Sequence, residues 1–129
     1  MTPDELADRL EAAADRIAPA IERRVQHVGA LGVADIRAHA SGRPGPNVIT
    51  GAYRASWQTL TRRIPYGAEC TLGSEAPQAR RLEFGFFGMT DSLGRLYHQP
   101  PYPHVQPALP QIGATLRAQM LHAVEEVFE

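Results

Sequence analysis

The sequence predicts an α+β fold in which a small antiparallel sheet packs against a long N-terminal helix and a C-terminal helix, with a long proline-rich loop or arm inserted. Three patterns predict it: a helical apolar period over residues 1–40, an aromatic and β-branched alternation around a turn near residue 65, and a second helical period from residue 110. A chain of 129 residues supports one hydrophobic core, so it reads as a single domain with a helical region at 1–40, a sheet region with the arm at 41–109 and a helix at 110–129.

The first helix should begin at Pro3, because Thr2 is an N-cap residue, proline suits the first turn and Glu5 completes a capping box. Its apolar stripe runs through Leu6, Leu10, Ala13, Ile17, Ile21, Val25 and Val28 and resumes at Val33 and Ile36. Pro19 predicts a kink, and Gly29 and Gly32 a second weak point. Residues 41–47 hold two prolines and two glycines and are expected to form a loop. Thr50 then caps a short turn through Ala55, and residues 57–64 and 68–73 form a hairpin about Pro65-Tyr66-Gly67. A short helix is expected over residues 74–84, followed by the aromatic run Phe84-Gly85-Phe86-Phe87-Gly88 and a long arm to residue 104. Glu83 is expected to cap or to pair near Arg80 or Arg54. The last helix presents Ile112, Leu116, Met120, Val124 and Val127 or Phe128.

Composition narrows the chemistry. With 43% hydrophobic and 21% charged residues, the chain resembles neither a disordered tail nor a membrane protein, and residues 1–20 carry acids where a secretory leader begins basic. The single Cys70 excludes an internal disulfide framework and a cysteine-based zinc site, fits a reducing compartment, and reads as a small core residue. A net charge of −1 excludes a globally basic nucleic-acid binder, although residues 41–110 hold seven arginines against four acids. Arg62-Arg63 and Arg80-Arg81 would be the phosphate contacts of a small Arg-rich nucleic-acid-binding module, the alternative reading of the chain. A catalytic or metal role would gather His98, His104, Glu83 and Asp91, but no helical spacing aligns them and no nucleophile motif accompanies them. The chain is therefore read as a non-enzyme without cofactor or metal.

Three stretches stand out in order: Ile49-Thr50-Gly51-Ala52-Tyr53-Arg54-Ala55-Ser56-Trp57, then Leu82-Glu83-Phe84-Gly85 after Leu72-Gly73-Ser74, then Pro103-His104-Val105-Gln106-Pro107-Ala108-Leu109. Together they resemble the neck or tail-completion (head-tail joining, minor capsid) proteins of long-tailed bacteriophages over residues 48–128. His104 stands where that family usually has Phe, Tyr53 where Leu is common, and the arm is longer. The resemblance implies a structural virion protein assembled in the host cytoplasm, forming a homo-oligomeric ring of six or twelve copies between capsid connector and tail. DNA would pass through that ring without sequence-specific binding, and no membrane would be involved. It makes Thr50, Gly51, Glu83, Gly85 and Pro107 structural motif residues. The exposed rings expected to meet neighbours are Phe84, Phe86, Phe87, Tyr97 and Tyr102.

Overall fold

The computed structural model describes residues 1–129 apart from Tyr66 and Asp91, with Met89 described by its backbone alone. The chain is α+β, as the sequence predicts. A 37-residue helix α1 (Pro3–His39) leads to a short α2 (Ala52–Ala55), then the strands β1 (Gln58–Ile64) and β2 (Gly67–Gly73). A short α3 (Ala79–Phe84) precedes β3 (Phe86–Thr90) and β4 (Leu96–Gln99). A 3₁₀ turn at Gln106–Ala108 then opens α4 (Leu109–Val127). The strands form two separate antiparallel pairs, β1 with β2 and β3 with β4, rather than one sheet.

Helix α1 starts as its sequence requires. The Glu5 N–H donates to Thr2 Oγ1 at 3.1 Å and the Thr2 N–H donates to Glu5 Oε2 at 2.9 Å, so two backbone groups at the helix start are satisfied locally. Contrary to the expected weak point, α1 runs unbroken through Gly29 and Gly32. Those glycines serve close packing: a Cβ on Gly29 would overlap Cys70 and Thr59 of the hairpin, and one on Gly32 would come within 2.7 Å of Leu72. The hairpin lies on the helix there, and that packing offsets the roughly 1 kcal/mol that each glycine costs a helix interior.

Helix α4 packs along α1, and its inward face differs from the predicted stripe. Ala123 and Val127 are buried with Ala13 and Ala20, flanked by Ile17 and Ile21, whereas Leu116 and Val124 are exposed. Alanines on both helices let the backbones approach, which turns the bulkier positions outward. Arginines of α1 fasten the far end of α4. Arg16 and Arg9 donate to the carbonyls of Val127 and Phe128, and Arg23 and Arg24 pair with Glu126. These cations meet the negative end of the α4 dipole, and the Arg24 hydrogen bond leads the causes that hold the Glu126 carboxyl below its usual value.

A second cluster closes the other end, where Val33, Ile36, Trp57 and Ala108 are buried with Tyr53, Leu72, Val105 and Ile112 around them. The helix predicted from Ser74 begins only at Ala79. Pro77 disfavours helical dihedrals at Ala76, and Ser74 Oγ instead accepts the Ala76 N–H at 3.1 Å, turning the chain out of the hairpin. The arm is an antiparallel pair with a register irregularity between Phe86 and Met89, and its far end returns to α3 where the Tyr102 N–H donates to the Leu82 carbonyl at 2.7 Å.

Candidate functional site

The 3₁₀ turn and α4 begin without a capping side chain of their own, for neither Val105 nor Ala108 offers one. The orphan N–H groups are met from a distance. Glu83, on α3 and only 9% exposed, accepts the His104 and Val105 N–H groups on Oε2 at 2.8 and 3.0 Å and the Gln106 N–H on Oε1 at 2.9 Å. A carboxylate at a helix start is the favoured sign there, and both of its oxygens are occupied.

His104 extends this junction. Its side chain is fully buried, and its Nδ1 lies 2.9 Å from the Tyr102 carbonyl and 3.0 Å from Glu83 Oε2. Two acceptors facing Nδ1 require a hydrogen on that nitrogen, and Nε2 lies in hydrogen-bond contact with the Tyr53 hydroxyl at 2.5 Å. The rings of Tyr53 and Trp57 stand edge-on to the imidazole at 5.5 and 5.7 Å. The His104 ring thus bonds Tyr53 and the Tyr102 carbonyl while the His104 backbone N–H bonds Glu83, which makes one polar junction walled by Trp57.

Electrostatics follow from this geometry. Burial alone would raise the Glu83 carboxyl, but the N–H donors of His104, Val105 and Gln106, with the imidazole beside it, hold it below the ordinary value. Burial pushes the Tyr53 phenol up. The Trp57 indole opposes this and the Glu83 charge adds to it.

Other expectations about this region change. Of the two roles expected for Glu83, capping is the one seen and pairing with Arg80 or Arg54 is not: Glu83 accepts the backbone N–H groups of residues 104–106, and Arg54 donates to Ser41 Oγ. His104, read from the sequence as a polar loop residue, is instead one of the two largest fully buried side chains, together with Ile36. His98 is exposed on β4 with its ring against Phe87, apart from this chain of groups, and Asp91 lies outside the described residues. Among the described residues no three His, Cys, Asp or Glu side chains gather as metal ligands.

The motif residues converge here. Thr50 Oγ1 accepts the Ala52 N–H at 3.2 Å and Gly51 takes φ +83°, together starting the turn that carries Tyr53. Gly85 at φ +72° turns the chain from α3 into the arm, and Pro107 sits in the first turn of the 3₁₀ segment. Of the five rings, Phe84 and Phe87 are 69% and 76% exposed and Tyr97 is exposed. Phe86 and Tyr102 are half-buried, under the guanidinium groups of Arg81 and Arg43 at 5.9 and 3.6 Å. Tyr53 also lines a cavity of about 510 Å³, beside Arg43, Arg54 and Gln99.

A double substitution tests the chain of groups. Tyr53→Phe strands Nε2 of a buried imidazole and is expected to cost about 1–2 kcal/mol. His104→Phe puts a larger ring into a fully buried site and leaves the Tyr102 carbonyl and the Tyr53 hydroxyl without their ring partner, so it should cost about 1–3 kcal/mol. The double variant should fall short of the sum by about 0.5–1.5 kcal/mol, read from urea denaturation midpoints; strict additivity would deny the hydrogen bond.

No family model, curated protein or solved structure matches the chain.

Proposed function

We propose that the chain is a structural virion protein of a phage head-to-tail neck, joining capsid connector to tail as one subunit of a ring around the DNA channel. The observation that carries this reading is that these motif residues act as scaffold around one junction: Glu83 caps the 3₁₀ turn that holds Pro107, Gly85 turns the chain out of α3, and Thr50-Gly51 starts the turn that brings Tyr53 to His104. Such a role needs no cofactor and no reaction. It fits a Glu83 whose oxygens are both taken by backbone N–H groups and a His104 sealed from solvent. It also supplies a use for the exposed Phe84, Phe87 and Tyr97, which a monomer of this size has no reason to leave in water. The nucleic-acid alternative loses support from the hairpin, where Arg62 pairs with Glu69 and Arg63 with Glu22 rather than standing ready for phosphates.

Negative-stain electron microscopy of concentrated protein should show closed rings with a central opening. Binding of duplex DNA that falls steeply with salt, with no ring at any concentration, would favour the nucleic-acid module instead.

A further inference from the structure

Two surfaces at opposite ends of α1 complement each other and cannot meet within one molecule. The first is the start of α1. Residues 3–12 are exposed throughout, and Leu6 and Leu10, at 48% and 51% exposure, continue the stripe that Ala13 and Ile17 bury against α4. Residues 3–15 carry five carboxylates against Arg9 alone, and Arg9 is already engaged by the Phe128 carbonyl. Among the described residues Asp4, Asp8, Glu11 and Asp15 have no hydrogen-bond or ion-pair partner, so this charge is uncompensated there.

The second is a groove of about 260 Å³ lined by the apolar Trp57, Ala79, Phe84, Val105 and Leu109 together with Arg80, Gln106 and Glu83, whose carboxylate oxygens are already taken by backbone N–H groups. Arg81 adjoins it beside Phe84. Among the described residues the Arg80 side chain has no hydrogen-bond or ion-pair partner, and the Arg81 guanidinium faces only the Phe86 ring, at 5.9 Å. Phe84 and Leu109 are well exposed, so the groove is open and lacks an occupant of its own.

The groove packs with Val33 and Ile36, near the His39 end of α1. Leu10 and Val33 are separated by 23 residues of unbroken helix, which at 1.5 Å per residue is about 35 Å. An acidic, leucine-striped helix end and an arginine-rimmed groove held that far apart along one unbroken helix cannot meet within one copy, but their chemistry is complementary between copies. We propose that residues 3–12 of one subunit dock, Leu6 and Leu10 inward, into the Trp57–Phe84–Leu109 groove of the next, with Arg80 and Arg81 meeting the carboxylates. This is helix-in-groove recognition with complementary charge. Because the two patches differ, the contact is head-to-tail, and its repetition closes a ring if the rotation between copies allows. The inference rests on the ring reading above and gives it an interface.

Sedimentation velocity of the full chain tests it with two variants whose changes lie on exposed positions. Leu6→Gln/Leu10→Gln blunts the helix end while keeping good helix formers, and Arg80→Glu/Arg81→Glu reverses the groove rim. Each alone should raise the concentration needed for assembly about tenfold or more, with an unchanged circular dichroism spectrum. Mixed in equal amounts, they retain one working groove and one working helix end between them, so the mixture should form dimers and nothing larger. Assembly of both variants like the wild type would overturn this pairing and leave the ring reading standing, as would a mixture that stays monomeric while the wild type assembles. A wild-type chain that stays monomeric at every concentration would overturn both.

Discussion

Replacing Glu83 with alanine is expected to destabilise the fold by about 3–5 kcal/mol, the usual cost of removing one partner from a buried, hydrogen-bonded charged cluster. Three backbone N–H groups lose their acceptor at once, the His104 ring loses the carboxylate beside it, and among the described residues the start of α4 has no other side-chain cap. The buried core around it is modest, made of Val, Ala and Ile side chains with Trp57, so little else compensates. Glu83→Gln keeps one carbonyl oxygen but turns an NH₂ toward N–H donors, and should cost about 2–3 kcal/mol. Acid titration supplies the sign. The folded carboxyl titrates below its unfolded value, so its stabilisation is fully present above the ordinary glutamate range and is lost as pH falls through the lower folded value. Wild-type urea midpoints should therefore decline from about pH 5 downward, and Glu83→Gln should show a flatter acid limb. Parallel acid limbs would mean that the carboxylate does not hold the helix start.

That junction marks where the sequence stopped being readable. The elements were legible because each rests on local chemistry: the capping box of Thr2 and Glu5 begins α1, alternation and a turn define β1 and β2, and helical spacing defines α4. The face of α4 was less legible, since Ala123 is inward only because Ala13 and Ala20 admit a close helix. Glu83 stands 21 residues before His104 with the whole arm between them, and no spacing encodes a hydrogen bond closed by a hairpin. A signal was nonetheless present. Residues 103–109 open a helix with two prolines and no Ser, Thr, Asp or Asn, so the orphan N–H groups required an acceptor from elsewhere in the chain. Glu83, an acid between Leu82 and Phe84, was a natural candidate. Gly29 and Gly32 misled for a related reason: glycine in a helix reads as weakness until the hairpin that needs the space is known.

Gly85→Ala should be nearly as damaging, at about 3 kcal/mol or more, since it combines backbone strain of about 1–3 kcal/mol with a collision that no rotamer relieves. Gly85 sits at φ +72°, ψ 179°, a region essentially closed to residues with a Cβ. An added Cβ would lie 2.6 Å from the Gln99 carbonyl oxygen and 2.8 Å from the Pro101 nitrogen, both backbone atoms of the returning arm. Gly88 provides the control on the same arm. It has φ +77°, but a methyl group placed there would meet no described atom within 4 Å, so Gly88→Ala should cost only about 1–2 kcal/mol. The consequence also spreads differently. Displacing Gly85 shifts the end of α3, where its own N–H donates to the Arg81 carbonyl at 2.7 Å, and with it the Glu83 carboxylate two residues away. Amide exchange should therefore accelerate at Tyr102 and at residues 104–106 in Gly85→Ala while remaining near wild type in Gly88→Ala. Equal loss of stability and equal exchange in the two variants would show that the base of the arm is a flexible hinge and that the exposed rings it carries are not held in register with the helix junction.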